Sequence, residues 1–94
     1  MTYKIKIHPL VVKEDFKKLN QKLKDTFCAA LENRIAERPY DFKPLRGKRY
    51  RNIWRLRVGD YRMVYRIEED ESVVYILCIE VRGKVYEKLD DRIN

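Results

Sequence analysis

Arginine recurs at alternate positions along two neighbouring segments of this chain, and this spacing is the pattern best suited to chemistry. Gly59-Asp60 joins the two segments, and a two-residue hairpin link there places Arg57 directly opposite Arg62. Because side chains along a strand alternate between faces, one face is predicted to carry Arg51, Arg55, Arg57, Arg62 and Arg66. A guanidinium group binds phosphate through paired hydrogen bonds, whereas like charges placed opposite each other weaken a sheet. The spacing therefore favours a phosphate-binding face over one that only keeps the sheet in solution.

The positive charge of the chain is concentrated in the same region. The formal net charge is +7, and residues 43–66 contain nine basic residues against one acid. Within this run we predict that four residues contact the backbone of the ligand, namely Arg46, Lys48, Arg51 and Arg55. Such a footprint is typical of a protein that binds a polyanion. A solvated basic surface is the alternative interpretation.

A third alternating segment brings one more arginine to the predicted face. Arg82 has the same parity as Arg62 if the core side of the last strand runs without interruption through Val73, Tyr75, Leu77, Ile79 and Val81. Glu80 shares that parity as well. A salt bridge from Glu80 to one of the arginines is therefore a structural alternative for that pair.

Other familiar catalytic groups are missing from the sequence. His8 stands alone beside a proline, and Cys28 and Cys78 lie in unrelated segments without metal-ligand spacing. There is also no glycine-rich phosphate loop. Catalysis would then use Arg, Lys, Tyr or Glu, a set suited to RNA cleavage by the 2′-hydroxyl of the substrate itself. No metal and no cofactor are expected.

The segments that position these residues predict an α+β fold of one domain spanning residues 1–94. Residues 3–7 read as a strand, and residues 10–38 as a helical hairpin that breaks at Asn20 and ends at Pro39. An antiparallel meander follows at 50–58, 61–67 and 73–82, with a short C-terminal helix over 85–93 and helices packed on one sheet face. The amino terminus is not a signal peptide, and no run is apolar enough to enter a membrane. A soluble, cytoplasmic protein is expected.

Four short motifs in this chain resemble the RelE family of toxin–antitoxin systems, over essentially the whole length. They are Pro44-Leu45-Arg46-Gly47, Trp54-Arg55-Leu56-Arg57, Gly59-Asp60-Tyr61-Arg62-Met63-Val64-Tyr65-Arg66, and Arg82 followed by Val85-Tyr86. The pairing of Leu-Arg-Gly with Tyr-Arg-Met-Val-Tyr is fairly specific to the RelE/ParE superfamily. It separates RelE from ParE poorly.

The resemblance implies a toxin that a RelB-like antitoxin holds inactive, with a heterotetramer among the forms of the complex. The free toxin would enter the ribosomal A site and cut mRNA, leaving a cyclic phosphate and a 5′-hydroxyl. The site residues of the family fall here on Arg55, Arg57, Arg62, Arg82 and Tyr86. Four of them are implied to be catalytic, whereas Arg55 holds neighbouring backbone. Tyr86 on its own would be interpreted as a helix residue covering the core.

The chain departs from the family at Arg55 and Arg57, where bacterial members typically have lysines, one of them the proposed general base. Arginine is always protonated and does not accept that proton. We therefore expect Arg57 to stabilise charge, while another group or the ribosomal RNA removes the proton. Two further functions stay open: a ParE-like inhibitor of DNA gyrase, and a non-catalytic module that binds RNA or the ribosome through the same arginines.

Overall fold

A computed structural model describes residues 2–93 and confirms the α+β architecture. The strands are β1 (Lys4–Ile7), β2 (Lys43–Pro44), β3 (Ile53–Val58), β4 (Tyr61–Glu68) and β5 (Val73–Val81), and the α-helices are α1 (Gln21–Ala30) and α2 (Val85–Ile93). They form one sheet in the order β1-β5-β4-β3-β2. The β1 strand runs parallel to β5, and every other pair is antiparallel. No helix in the described part of the chain is long and apolar enough to cross a bilayer.

The helical half of the chain breaks where the sequence predicts. A first helical segment, residues 11–18, consists of a π-helical turn followed by a 3-10 turn. Leu19 is then extended, and the Asn20 side chain caps α1 by accepting a hydrogen bond of 2.8 Å from the backbone N–H of Leu23. Helix α1 continues into a π-helical turn over Leu31–Ile35, and the chain turns away before Pro39. These turns place apolar side chains against the sheet.

The sheet has an apolar core on each face. The α1 face buries Phe27 and Ile35 against Met63 and Tyr65. The opposite face, here called the α2 face, buries Val85 and Leu89 of α2 against Ile53, Val64, Leu77 and Cys78. The first two helical segments thus cover one face as expected, whereas α2 covers part of the face that carries the arginines. This cover leaves the hairpin end of the arginine face open, where Arg57 is exposed.

A β-bulge changes the phase of β5 halfway along the strand. Val64 pairs with Cys78, but its neighbour Tyr65 pairs with Ile76, so that Leu77 is an extra residue. Ile76 therefore belongs to the α1-face core, and Leu77 to the α2-face core. The predicted continuous core side of β5 is wrong before the bulge, because Tyr75 and Leu77 lie on the α2 face. It is right at Ile79, which lies on the α1 face.

A buried carboxylate ties the first helical segment to β5 and α2. The Asp15 side chain is fully buried and accepts a hydrogen bond of 2.8 Å from the backbone N–H of Ile79. Arg92 of α2 contacts both carboxylate oxygens, at 2.6 and 2.9 Å, and Lys88 Nζ lies 2.9 Å from one of them. Burial alone would raise the pKa of Asp15, but these hydrogen bonds outweigh it and hold that pKa below its usual value. The position of α2 thus depends on ion pairs as well as on apolar packing.

Candidate functional site

The hairpin between β3 and β4 forms the centre of the site. Gly59 has a φ of +59° in the two-residue link, as a tight hairpin requires. Arg57 pairs directly with Arg62, as predicted, and Arg62 pairs on its other side with Glu80 of β5. Arg82 follows β5, and its backbone N–H donates to the carbonyl of Asp60 at 3.1 Å. This bond holds Arg82 at the same end of the sheet.

Arg62 is the most buried member of this group, with 4% of its surface exposed. Burial lowers its pKa, and the charges of Arg57, Arg55 and Arg82 lower it further. These four residues, the arginine cluster, therefore act on one another electrostatically. Arg62 Nη1 donates to the carbonyl of Asp60 at 3.1 Å, whereas Nε has no hydrogen-bond partner among residues 2–93. A buried cation without an anion partner is suited to receive an anionic ligand.

The other members of the arginine cluster also keep their charge free. Arg57 Nε donates to the carbonyl of Gly59 at 3.1 Å, and the residue is exposed. Within the described ranges, the side chains of Arg55, Arg57 and Arg82 form no ion pair. Four positive charges thus lie close together, and none of them is paired with a carboxylate in the described part of the chain. This arrangement matches the charge of a phosphodiester backbone.

A cavity beside the arginine cluster contains the predicted tyrosine. It has a volume of about 670 Å³ and is lined by Lys43, Pro44, Leu45, Arg46, Arg55 and Tyr86. Tyr86 is 41% exposed, in the first turn of α2, and its ring centroid lies 5.9 Å from that of Tyr50. Tyr50 is held in turn by a 2.7 Å hydrogen bond to Asp90. Arg55 belongs to both the cluster and the cavity, so the two form one continuous surface.

Three predicted residues lie outside this surface. Arg66 forms an ion pair with Glu68, with 2.7 Å between Nε and Oε1 but without the angle of a hydrogen bond, and its guanidinium lies over the ring of Tyr75. Arg51 belongs to a turn, because β3 begins only at Ile53, and Lys48 is exposed in the loop between β2 and β3. Neither of these two lines the cavity. The prediction of five arginines on one strand face is therefore wrong at Arg51, whereas Arg66 lies on that face, paired with Ile53 of β3, but outside the arginine cluster.

Two other residues near the site were assigned no role from the sequence. Lys43 lines the cavity, and its membership of the basic run was the signal for it. Lys88 binds Glu80 at 2.8 Å, so the salt bridge considered for Glu80 forms with a lysine of α2 instead of an arginine. Burial would raise the pKa of Glu80, but hydrogen bonds from Lys88 and from the N–H of Val81 keep it lowered. Strand parity gives no information on Lys88, because it lies on another element.

Comparison with known proteins supports, both by sequence and by fold, the family that the sequence motifs resemble. The model of the family described as ParE toxin of type II toxin-antitoxin system, parDE, matches residues 5–86. A chain of the archaeal RelE–RelB complex from Pyrococcus horikoshii OT3 is 31% identical, with a TM-score of 0.64 and coverage of 89% of this chain and 99% of that chain. No curated protein matches the sequence.

Two further structures share the fold at lower identity. A double mutant of the E. coli toxin RelE in the free state has a TM-score of 0.80 and 23% identity, with both chains covered completely. A chain of the toxin–antitoxin complex RelBE2 from Mycobacterium tuberculosis has a TM-score of 0.76 and 24% identity, covering 87% of this chain and 100% of that chain. From the family match and the shared fold it follows that the chain belongs to the RelE/ParE family, as a toxin of a type II toxin–antitoxin system.

Proposed function

We propose that this toxin is a ribosome-dependent endoribonuclease that cleaves mRNA in the A site and so inhibits translation. One observation carries the proposal: three arginines converge on the buried, unpaired Arg62, and the exposed Tyr86 lies in the adjoining cavity. Gyrase inhibition by binding alone gives no reason for a buried arginine without an anion. A phosphodiester in the site supplies that anion.

The proposed reaction is an intramolecular transesterification of the RNA backbone. The 2′-oxygen forms a bond to the adjacent phosphorus, the bond from phosphorus to the 5′-oxygen breaks, and a cyclic phosphate and a 5′-hydroxyl result. The 2′-hydroxyl gives up one proton, and the leaving 5′-oxygen takes up one. Arg62 and Arg82 hold the non-bridging oxygens, and Arg57 stabilises the additional negative charge of the transition state. The RNA supplies its own nucleophile, so the scheme assigns no role to a metal or cofactor.

Proton transfer involves groups other than the arginine cluster. Guanidinium groups stay protonated throughout the accessible pH range, so none of the four removes the 2′-hydroxyl proton. That proton passes to solvent or to a group of the ribosome. Tyr86 is exposed enough to stack on a base or to donate a hydrogen bond to the leaving oxygen. Arg46, Lys43 and Arg55 bind the neighbouring backbone from the cavity wall.

The proposed inhibitor is a RelB-like antitoxin with acidic segments. The archaeal and mycobacterial structures above are complexes of a toxin with its antitoxin. The arginine cluster of this chain would attract acidic side chains as it attracts phosphate. A basic antitoxin encoded beside this toxin would contradict the assignment of this surface.

The experiment is an A-site cleavage assay with programmed ribosomes and end-labelled mRNA. Its key variants are Arg62→Met and Arg66→Met. Both arginines lie on β4, but only Arg62 belongs to the arginine cluster, so Arg66→Met is the matched control. We expect cuts confined to A-site codons with the wild type and with Arg66→Met, and none with Arg62→Met. A folded, ribosome-bound wild type that makes no cut would overturn the proposed reaction.

The second candidate is ParE-type inhibition of DNA gyrase, which the family model favours by its name. A supercoiling assay with the same two variants tests it. Inhibition that survives Arg62→Met, without mRNA cleavage, would establish this function instead. Salt-sensitive ribosome binding without cleavage or gyrase inhibition would leave a non-catalytic RNA-binding module.

A further inference from the structure

Arg62 has a carboxylate directly opposite it in the sheet and does not bind it. Arg62 of β4 and Glu80 of β5 are register partners. The Cβ atoms of such partners lie about 5 Å apart on the same face, within easy reach of a salt bridge. Yet the ion pairs of Glu80 in the described part of the chain are with Lys18 and Lys88, and Arg62 Nε has no hydrogen-bond partner there. Something therefore holds the Glu80 carboxylate elsewhere.

Lys88 of α2 is the group that holds it. Lys88 Nζ lies 2.8 Å from Glu80 Oε1, and the N–H of Val81 donates to Oε2 at 2.9 Å. Lys18 Nζ is also near, at 3.9 Å, but its side chain is 60% exposed and the contact is correspondingly weak. Both carboxylate oxygens are thus occupied, and the ion pair with Lys88 is stronger than the one with Lys18.

Lys88 is itself fixed in place by a second carboxylate. Its ammonium lies 2.9 Å from Asp15 Oδ1, and Asp15 is bound by Arg92 through both of its oxygens. The Lys88 side chain is only 18% exposed. It therefore has one well-defined position, between Asp15 and Glu80, and does not compete with Arg62 for a ligand.

We propose that Lys88 is a positioning residue of the phosphate site: by binding Glu80 it keeps Arg62 free for the phosphate of the ligand. The inference rests on the proposed function, because phosphate is taken as the ligand of Arg62. Without the ammonium, Glu80 Oε1 is free to pair with Arg62. An internal carboxylate then competes with phosphate at every ligand concentration. Glu80 is in this sense a built-in competitor, and Lys88 is its restraint.

A purely structural salt bridge would behave differently on mutation. If the pair only stabilises the fold, Lys88→Met and Glu80→Gln remove the same contact and change ligand binding in the same direction. If Lys88 restrains a competitor, Lys88→Met weakens binding, whereas Glu80→Gln leaves it unchanged or tightens it. The double variant then binds as Glu80→Gln does, because the competitor is gone. Lys88→Arg retains the restraint and binds like the wild type.

The test is equilibrium binding of the full chain to a short single-stranded RNA whose 2′-hydroxyls carry methyl groups, so that it cannot be cleaved. Fluorescence anisotropy with the four variants above should show a loss of about tenfold for Lys88→Met, the size expected for a charged hydrogen-bond competitor. Restored affinity in the double variant is the expected result. Weaker binding by Glu80→Gln, or a double variant as weak as Lys88→Met, would overturn the proposal.

Changes of net charge need their own control, because removing any lysine weakens RNA binding. Lys84→Met and Glu87→Gln change the charge equally at exposed positions close to or on α2. If Lys84→Met and Glu87→Gln change the RNA affinity as much as Lys88→Met and Glu80→Gln do, long-range electrostatics explains the result and the proposal is overturned. Circular dichroism verifies that each variant is folded, and Glu80→Gln alone tests the sign if Lys88→Met does not fold.

Failure of the proposed function gives a different result from failure of this inference. If Arg62→Met binds the RNA as tightly as the wild type, both the proposed function and the role of Lys88 are overturned, since Arg62 then does not bind phosphate. Affinity that is lost in Arg62→Met, together with equal effects of Lys88→Met and Glu80→Gln, would overturn only the role of Lys88. Cleavage is not measured in this experiment, so the outcome does not depend on the ribosome.

Discussion

Two arginines of this protein have buried side chains and opposite surroundings. Within residues 2–93, Arg62 donates only to a backbone carbonyl, whereas the Arg92 side chain, which is 4% exposed, binds both oxygens of the Asp15 carboxylate. A buried charge costs free energy unless a partner compensates it. Arg92 is compensated within the fold and stabilises it, whereas Arg62 is left for a ligand to compensate. The same residue type thus serves stability in one region and binding in the other.

The largest expected difference between the two regions is in stability. Arg92→Met leaves the buried Asp15 with Lys88 as its only charged partner in the described structure. We expect a loss of about 3–5 kcal/mol in the free energy of unfolding, as for other broken buried pairs. Urea denaturation followed by circular dichroism measures it. A loss below about 1 kcal/mol, typical of exposed pairs, would show that the pair is not buried in solution.

Acid should weaken the α2 region through its carboxylates. The pKa values of Asp15 and Glu80 are lowered in the folded chain, since hydrogen bonds and positive charges outweigh burial. Their stabilisation is present above the unfolded pKa and is lost as the pH falls through the folded pKa. Unfolding free energies measured from pH 7 downward should therefore fall. Asp15→Asn should flatten this decrease, and an unchanged slope in that variant would contradict the assignment.

Arg62→Met should scarcely change stability, although it also removes a buried arginine. The substitution removes a charge that has no carboxylate partner within residues 2–93, and the methionine fills similar space. We expect the free energy of unfolding to stay within about 1 kcal/mol of wild type or to rise. Activity should be lost, as proposed above. A loss of stability matching that of Arg92→Met would erase the contrast between the two regions.

The smallest effect is expected at Arg66, which is partly exposed and paired with Glu68. Arg66→Met should change the free energy of unfolding by less than about 1 kcal/mol, as is typical of such pairs. Cleavage and RNA binding should remain at wild-type levels. Loss of binding in this variant would extend the phosphate site along β4, beyond the arginine cluster.

The parts of the site that depend on local sequence were predictable. The two-residue link at Gly59-Asp60 determines that Arg57 faces Arg62, because hairpin length fixes register. The break at Asn20 follows from capping chemistry in the same way. Both signals involve residues only a few positions apart, so the rest of the fold has little influence on them.

The parts that were missed depend on contacts between distant segments. Strand parity assumes unbroken alternation, and the extra residue Leu77 interrupts it without a glycine or proline to mark the place. Whether Glu80 binds an arginine or Lys88 depends on where α2 packs, which periodicity does not specify. The roles of Arg55, Arg57, Arg62, Arg82 and Tyr86 came from resemblance to the RelE family, and the structure brings these residues to one end of the sheet. Their chemical roles remain predictions.

The bulge at Leu77 also limits how the sequence of β5 can change during evolution. Upstream of it, Ile76 packs on the α1 face, and downstream of it, Glu80 stands beside Arg62. Because Leu77 is the extra residue of the bulge, deleting it alone would restore regular alternation and leave both of these side chains on their faces. Inserting or deleting a residue elsewhere in β5 would turn every side chain on one side of the change to the opposite face. We therefore expect the length of β5 among relatives to vary only by loss of this extra residue, with other insertions and deletions in the loops.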